Sequence, residues 1–225
     1  MPRFAPLTLL LLLPLLAAGC AATQRQQGQA ERQALLQRLP AEINGFTLQP
    51  PPPDAVTDHS ARQLYRQGEA GVLIGVMLTG IDPGVPEGAD SPPARVLRAA
   101  IATQIFAQAG SLPGAQAERG PDFNISRRGE TPPLAGCADL RLHHQARMLR
   151  DLSCTAVIER QVLLVKLLTV HGPDQVDAVR QMMGDFSGRV VEAMRQLPPP
   201  ENDAGAPPAG AGKPQAEPPR RLQRT

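Results

Sequence analysis

Alternation of apolar and polar residues is clearest in the second half of the chain. From Ala138 to Met148, apolar residues at nearly every second position are separated by charged or polar ones. A period of two is typical of a strand with one face in a core and the other in water. Two other stretches, Val72–Leu78 and Val162–Val170, are apolar at both alternating sets of positions except for Lys166. These two patterns predict strands that are covered on both faces.

Three segments show the helical period instead. The first is short, from Glu31 to Leu39, and ends before a proline. The second begins with Ser91 as its N-cap and a proline at its first helical position, and Gly110 is expected to end it. The third runs from about Pro173 to the prolines that start at residue 198. Each segment has an apolar stripe that can pack on a sheet.

The second and third helices carry details that bear on their packing. In the second helix the apolar stripe predicts that Arg95 and Arg98 face water. In the third helix Gly184 and Gly188 lie one turn apart. Glycine costs about 1 kcal/mol against alanine inside a helix, so this pair predicts close backbone packing against the sheet.

The remaining strands complete a fold class. Short strands are expected within Ile43–Leu48, near Leu64-Tyr65 and at Phe123–Arg127, and a longer strand at Leu152–Glu159 turns near Glu159–Gln161 into the next. The order is two or three strands, a helix, four strands and a helix. It predicts an α+β fold, with a mostly antiparallel sheet and helices packed on its faces.

The N-terminus carries an apolar run of a different kind. Phe4 to Leu16 is too short to span a bilayer, but it has the length of a signal-peptide core. It ends in Ala17-Ala18-Gly19-Cys20, which resembles the lipobox of bacterial lipoproteins. The resemblance implies lipidation of Cys20, cleavage just before it and, with alanine rather than aspartate at residue 21, sorting to the periplasmic side of the outer membrane. An ordinary secretory signal is the alternative.

These segments divide the chain into four parts. Residues 1–19 are the predicted lipoprotein signal, and residues 20–40 hold the lipidated cysteine, a polar tether and the short first helix. Residues 41–197 form the globular domain. Residues 198–225 are rich in proline, alanine and glycine, which predicts a disordered tail.

The order of elements between residues 41 and 197 resembles the PsbP-like fold, which some bacterial lipoproteins adopt. The strand at Val72–Leu78, the helix at Pro92–Ala109, the strands between Cys137 and Val170 and the closing helix carry the resemblance. Members of that fold class mostly bind or stabilise partners and are rarely enzymes. The resemblance therefore implies a non-enzymatic protein.

Composition and motifs exclude several functions. The 23 basic and 21 acidic residues give a net charge of +2, so no large basic surface for nucleic acid is expected. Neither a nucleophile-elbow motif nor a phosphate-binding glycine loop occurs in its required context, so we expect no catalytic residues and no cofactor. His143 and His144 are adjacent on a predicted strand and point to opposite faces, so they cannot easily share a metal ion. Asp82, Glu87 and Asp90 lack the spacing of a calcium loop.

Cys137 and Cys154 become a lone pair once Cys20 is lipidated. An extracytoplasmic compartment favours a disulfide between them. A hairpin turn near Leu149-Arg150, however, would place Cys154 opposite Gln145 and leave Cys137 roughly 26 Å away along the strand. A bridge needs Cα atoms within about 7 Å. The sequence therefore does not decide whether Cys137 and Cys154 form a disulfide.

The leading hypothesis from the sequence is a lipid-anchored envelope protein that binds or stabilises another envelope protein. One alternative is a carrier of a hydrophobic or lipid-like ligand, held between sheet and helix in a pocket that methionines could soften. The methionines concerned are Met77, Met148, Met182, Met183 and Met194. An envelope hydrolase is a weaker alternative, since the chain lacks a hydrolase motif.

The lipobox interpretation makes a direct prediction. Replacing Cys20 with serine removes the sulfur that would carry the acyl chains, so the protein should leave the membrane fraction or be mislocalised. Cell fractionation with metabolic labelling by a fatty-acid analogue measures both effects. A Cys20→Ser protein that still fractionates with the membrane would contradict the prediction.

Overall fold

The computed structural model describes residues 26–68, 71–127, 131–145 and 147–197. The predicted signal, Cys20 and the predicted tail over residues 198–225 lie outside these residues. The described chain has a nine-stranded antiparallel sheet with helices on both of its faces. This architecture confirms the predicted α+β class.

The strands are β1 (Glu42–Ile43), β2 (Phe46–Leu48), β3 (Ser60–Arg66), β4 (Leu73–Gly80), β5 (Gln116–Arg119), β6 (Phe123–Ile125), β7 (Ala135–His144), β8 (Arg147–Ile158) and β9 (Gln161–Val170). The helices are α1 (26–37), α2 (Pro92–Ser111) and α3 (Val176–Met194), the last preceded by a short 3-10 helix at Pro173–Gln175. The strands lie in the order β1-β2-β3-β4-β9-β8-β7-β5, and β6 also pairs with β7.

One face of the sheet, covered by α1 and α3, holds the larger core. Phe186 of α3 packs edge-on against Phe46 and Tyr65, with ring centroids 5.3 and 5.2 Å away. The hydroxyl of Tyr65 donates to the carbonyl oxygen of Pro40 at 2.6 Å, which ties the segment after α1 to the sheet. From the end of α1, the core receives Leu35, Leu36 and Leu39.

Helix α1 begins earlier than predicted. It starts at residue 26, within the predicted tether, and ends at residue 37. Contacts with the loop before β3 explain the extension, because Gln29 Nε2 donates to Asp58 Oδ1 at 2.9 Å and Arg32 Nη2 donates to the Asp58 carbonyl oxygen at 2.8 Å. Polar residues without an apolar pattern are thus held in a helix by tertiary hydrogen bonds.

Helix α2 covers part of the other face, where Ile101 and Ile105 pack against Leu140 and Leu164. Arg98, expected to face water, instead points at the sheet. Its Nη1 donates to the hydroxyl oxygen of Thr155 at 2.7 Å and to the backbone oxygens of Ala89 and Gly136 at 3.1 and 3.3 Å. Three acceptors therefore compensate for taking this guanidinium out of water.

The ends of α2 also differ from expectation. Ser91 is at the N-cap position, but its hydroxyl makes no capping hydrogen bond and is buried without a partner among the described residues. The helix continues through Gly110 to Ser111. In α3, Gly188 was predicted to allow close packing against the sheet. A Cβ added to Gly188 would lie 3.4 Å from Ile125 Cγ2, so this glycine does allow α3 to pack closely on β6.

The β7–β8 hairpin turns earlier than predicted. His144 pairs with Arg147, and Gln145 between them has a φ of 55°, whereas the sequence placed the turn near Leu149-Arg150. The alternating pattern runs on past the turn and so conceals it. The new register places Cys137 directly opposite Cys154, and a disulfide joins them, with Cα atoms 4.0 Å apart. The hairpin thus removes the geometric objection to the bridge.

An ion pair lies buried on the α3 face, where the sequence pattern predicted water around Asp139. The carboxylate of Asp139 accepts two hydrogen bonds from Arg150, at 2.8 Å from Nε and 2.6 Å from Nη2, and both side chains are fully buried. Arg150 Nη1 also donates to the carbonyl oxygen of Val176 at 2.6 Å. Burial alone would raise the pKa of Asp139, but the hydrogen bonds and charge of Arg150 outweigh it and hold the pKa below its usual value.

Removing the disulfide should destabilise the domain. In a Cys20→Ser background, Cys137→Ala with Cys154→Ala should lower the free energy of unfolding by about 3 kcal/mol, because the bridge spans a sequence separation of 17 residues. Urea denaturation measures the change, and reduced protein without these two substitutions is the control. The prediction is wrong if denatured, unreduced protein with both cysteines present titrates with two free thiols.

Breaking the buried ion pair should have a large, pH-dependent effect. Asp139→Asn leaves Arg150 buried without its counter-charge and should cost about 3–5 kcal/mol at neutral pH. The folded pKa of Asp139 is lowered, so its stabilisation is complete above the unfolded pKa and is lost as the pH falls through the folded one. The difference between wild type and variant in urea denaturation should therefore shrink from pH 7 towards pH 3.

A surface variant provides the control for this measurement. Asp122→Asn removes one partner of the exposed pair with Arg119 and should change stability by less than about 1 kcal/mol. Equal losses for Asp122→Asn and Asp139→Asn, or a difference that does not depend on pH, would contradict the role given to the buried pair.

Candidate functional site

The sequence-predicted positions do not meet at one site. Cys20 lies outside the described residues, and the bridged Cys137 and Cys154 are buried in the core under α3. His143 and His144 point to opposite faces of β7 and are both half-buried, and His143 Nε2 lies 3.5 Å from Glu118 Oε1. Glu87 accepts a hydrogen bond from the backbone N–H of Glu159 at 3.1 Å and so supports the β8–β9 turn.

Two features are absent from the described residues. No group of three or more histidine, cysteine, aspartate or glutamate side chains is placed to hold a metal ion in this part of the chain. None of the helices among these residues is both long enough and apolar enough to cross a bilayer. The described surface does hold exposed apolar residues and concave regions.

The main candidate is the part of the sheet that α2 leaves open. On the α3 side, β4 and β9 bury their side chains almost completely. On the α2 side, Leu73 is 45 % exposed, Leu168 is 50 % exposed and Val170 is 59 % exposed. We call these three residues, with the half-buried Leu64 of β3, the open face. The prediction that both strands are covered on both faces is therefore wrong for this end of the sheet.

The position of α2 explains why this face is open. The apolar side of the helix packs against Leu140 and Leu164, with Ala117 of β5 beside them, so the helix lies towards β7 and β5. Strand β5, at Gln116–Arg119, was not predicted, because its four residues show no apolar alternation. With α2 placed there, the end of β4 and β9 that holds Leu73, Leu168 and Val170 is left without cover on the α2 side.

Strand register puts the residues of the open face side by side. Ile74 pairs with Leu167, so the next position in the ladder sets Leu73 beside Leu168. On its other side Leu73 pairs with Arg66. Cross-strand neighbours on one face have Cβ atoms about 5 Å apart, so these side chains form a continuous strip.

Charged groups border the strip. Exposed Arg66 lies at its β3 end, and Asp151 pairs with Leu168 at its β8 end. Asp151 already has partners within the protein. Its Oδ2 lies 2.9 Å from Lys166 Nζ, and its Oδ1 accepts a hydrogen bond from the hydroxyl of Ser153 at 2.5 Å. The open face is thus aliphatic at Leu73, Leu168 and Val170, with Lys166 beside them on β9 and Arg66 at the β3 edge.

A second surface feature is a groove of about 720 Å³ between α3 and β6. Gly184 and Gly188 form part of its wall, Met182 and Ile125 supply apolar contacts, and a smaller cavity of about 250 Å³ continues it past Glu192.

Of the methionines noted in the sequence, Met182 therefore borders the groove. Met183 and Met194 are fully buried in the core, whereas Met77 and Met148 are half-buried.

Comparisons with known proteins bear on the fold alone. No family model and no curated protein matches the chain. Among solved structures, it is similar to the solution structure of cyanobacterial PsbP (CyanoP) from Synechocystis sp. PCC 6803, with 13 % identity and a TM-score of 0.43. The likeness covers 65 % of this chain and 81 % of that chain.

The sequence carries one partial signal of the open face. The patterns of β4 and β9 require cover on both faces, and the predicted helices together with the N-terminal segment were expected to supply it. Any part of these strands that those elements do not reach is left exposed. The position of α2, which decides where that part lies, is not visible in the sequence pattern.

Proposed function

We propose that this chain is a lipid-anchored envelope protein whose non-enzymatic domain binds another protein through the open face. The observation that carries the proposal is the exposure of Leu73, Leu168 and Val170 on neighbouring strands of one sheet face. Contiguous exposed apolar residues with a polar border are typical of a binding surface. Single exposed leucines would not carry this argument.

The chemistry of the open face favours one kind of partner. Burying aliphatic side chains yields about 25 cal/mol for each Å² removed from water, so a partner surface rich in aliphatic residues fits the strip. Arg66 at the edge favours a carboxylate on the partner at that position. A charge at the rim contributes more to association rate and orientation than to affinity.

The proposed location depends on Cys20. Acyl chains on this residue would hold the protein at the periplasmic side of the outer membrane, and the residues up to 25 would connect the anchor to α1. The partner would then be an envelope protein that reaches the domain from the periplasm.

A second candidate is the carrier of a hydrophobic or lipid-like ligand. The groove between α3 and β6 favours it, because its volume of about 720 Å³ lies in the range of ligand pockets and Met182 with Ile125 supplies apolar wall. Its ion pair between Arg127 and Glu192, at 3.1 Å, suits a ligand with a polar end. This candidate places the ligand on the opposite side of the sheet from the open face.

A charge placed on the open face should weaken partner binding without unfolding the domain. We expect Leu168→Asp to weaken the complex by roughly 2 kcal/mol, about thirtyfold in Kd, because an interface leucine is replaced by a group that must be desolvated. The measurement is recovery of the crosslinked partner from intact envelopes by tagged protein, with circular dichroism to check folding.

Val96→Asp is the matched control, since Val96 is 67 % exposed but lies on α2, away from the strip. The proposal fails if both variants recover the same partners as wild type, or if both lose them equally. Native mass spectrometry of the same purified protein tests the carrier function. If the protein is a carrier, a lipid should remain bound to the Leu168→Asp variant.

A further inference from the structure

A cavity of about 490 Å³ lies at the opposite end of β4 from the open face. It is bounded by α1, the end of β4, the β8–β9 turn and the start of α2. Gly28, Arg32, Gly80 and Gln161 form its inner part, and Glu31, Asp82 and Arg160 stand at its rim. Neither the open face nor the groove beside α3 includes any of these residues.

Arg32 is a buried cation whose hydrogen bonds are incomplete. The residue is 3 % exposed, and its Nη2 donates to the Asp58 carbonyl oxygen at 2.8 Å. Its Nε is buried and has no hydrogen-bond partner among the described residues. Burial lowers the pKa of Arg32, and the nearby charges of Glu31 and Asp58 offset this only in part. The Nε therefore has room for a further acceptor at the cavity.

The hydrogen bonding of Gln161 is also incomplete beside this cavity. It is 2 % exposed, and its Oε1 is buried without a partner among the described residues. A Cβ added to Gly80 would lie 2.9 Å from Arg32 Nη1 and 3.6 Å from Gln161 Oε1, so the two side chains converge over this glycine. Buried polar groups are nearly always paired in folded proteins. Two buried atoms without partners beside one cavity, Arg32 Nε and Gln161 Oε1, therefore point to a polar occupant.

The charges select the chemistry of that occupant. Arg32 and Arg160 supply donors for an anionic group, whereas Glu31, Asp82 and the amide oxygen of Gln161 supply acceptors for a cation. We propose that the cavity binds a phosphoethanolamine group, with its phosphate towards the two arginines and its primary ammonium towards the three acceptors.

Two sources can supply this group, a phospholipid headgroup and a soluble phosphoethanolamine. The headgroup source rests on the proposed anchor: α1 starts six residues after Cys20, and Arg32 follows six helical residues later, so chain length places the cavity within roughly 30 Å of the lipidated residue. The soluble source does not require the anchor.

Calorimetric titration of the mature chain, residues 20–225 with Cys20→Ser, tests the proposal. O-Phosphoethanolamine should bind at least about tenfold more tightly than phosphocholine, whose quaternary nitrogen cannot donate hydrogen bonds to Gln161 or the carboxylates. Arg160→Gln and Asp82→Asn should each weaken binding by about tenfold. Both residues are exposed, so these variants should fold.

Arg147→Gln is the control, because Arg147 is also exposed but lies at the β7–β8 turn. The proposal is overturned if O-phosphoethanolamine does not bind, if phosphocholine binds equally well, or if the control loses as much affinity as Arg160→Gln. If water alone occupies the cavity, O-phosphoethanolamine will not bind.

Vesicle flotation then identifies the source. Binding to vesicles of mixed phosphatidylethanolamine and phosphatidylcholine, but not to phosphatidylcholine alone, assigns the headgroup. Binding of the free compound without vesicle binding assigns the soluble source. The protein in these measurements carries no lipid, and its open face is unaltered. The titration and flotation results therefore do not depend on whether Leu168→Asp loses its partner, so each proposal can fail without the other.

Discussion

The register of the β7–β8 hairpin determines which side chains meet on both faces of the sheet. With His144 opposite Arg147, Cys137 faces Cys154 and Arg150 reaches Asp139 on the α3 side. A slip of one residue would turn every side chain of one strand to the other face, placing Arg150 among the apolar residues under α2. The bridge and the ion pair both exclude that alternative.

The same hairpin also fixes both long helices. Arg150 holds the start of α3 through the carbonyl oxygen of Val176, while Thr155, on the other face of β8, donates to the carbonyl oxygen of Ala94 at 3.0 Å and accepts from Arg98 of α2. A buried ion pair gains little net stability, because desolvation offsets much of its attraction. Its consequence here is geometric, since a misaligned hairpin would leave charges buried without partners and the helices without their attachment points.

Much of this arrangement was accessible from the sequence. Apolar periodicity located the long strands and α2, and the turn at Glu159-Arg160 is where it was predicted, with both residues at positive φ. The turn at Gln145 carries no glycine, proline or asparagine, so nothing in its composition marks it. Alternation alone also cannot show that a charged residue is buried, because Asp139 and Arg98 become acceptable in the interior only through partners that are distant in sequence.

The candidate site was predictable to a lesser extent. Two strands apolar on both faces implied a cover, but the choice of which strands α2 covers depends on β5, whose sequence has no strand pattern. Arg32 and Gln161 are 129 positions apart in the chain, and only the fold brings them to one cavity. Sites assembled from single polar residues of several elements leave no local pattern in a sequence.

Strand β4 has a consequence for the orientation of the whole domain. Leu73 begins the strand at the open face and Gly80 ends it at the cavity beside α1, so seven residue steps, roughly 24 Å, separate the two surfaces. Under the proposed anchoring at Cys20, the cavity beside α1 would lie nearer the bilayer and the open face farther from it. The sheet would then act as a spacer that presents the aliphatic strip to the aqueous side, where the bilayer does not compete for the same apolar groups.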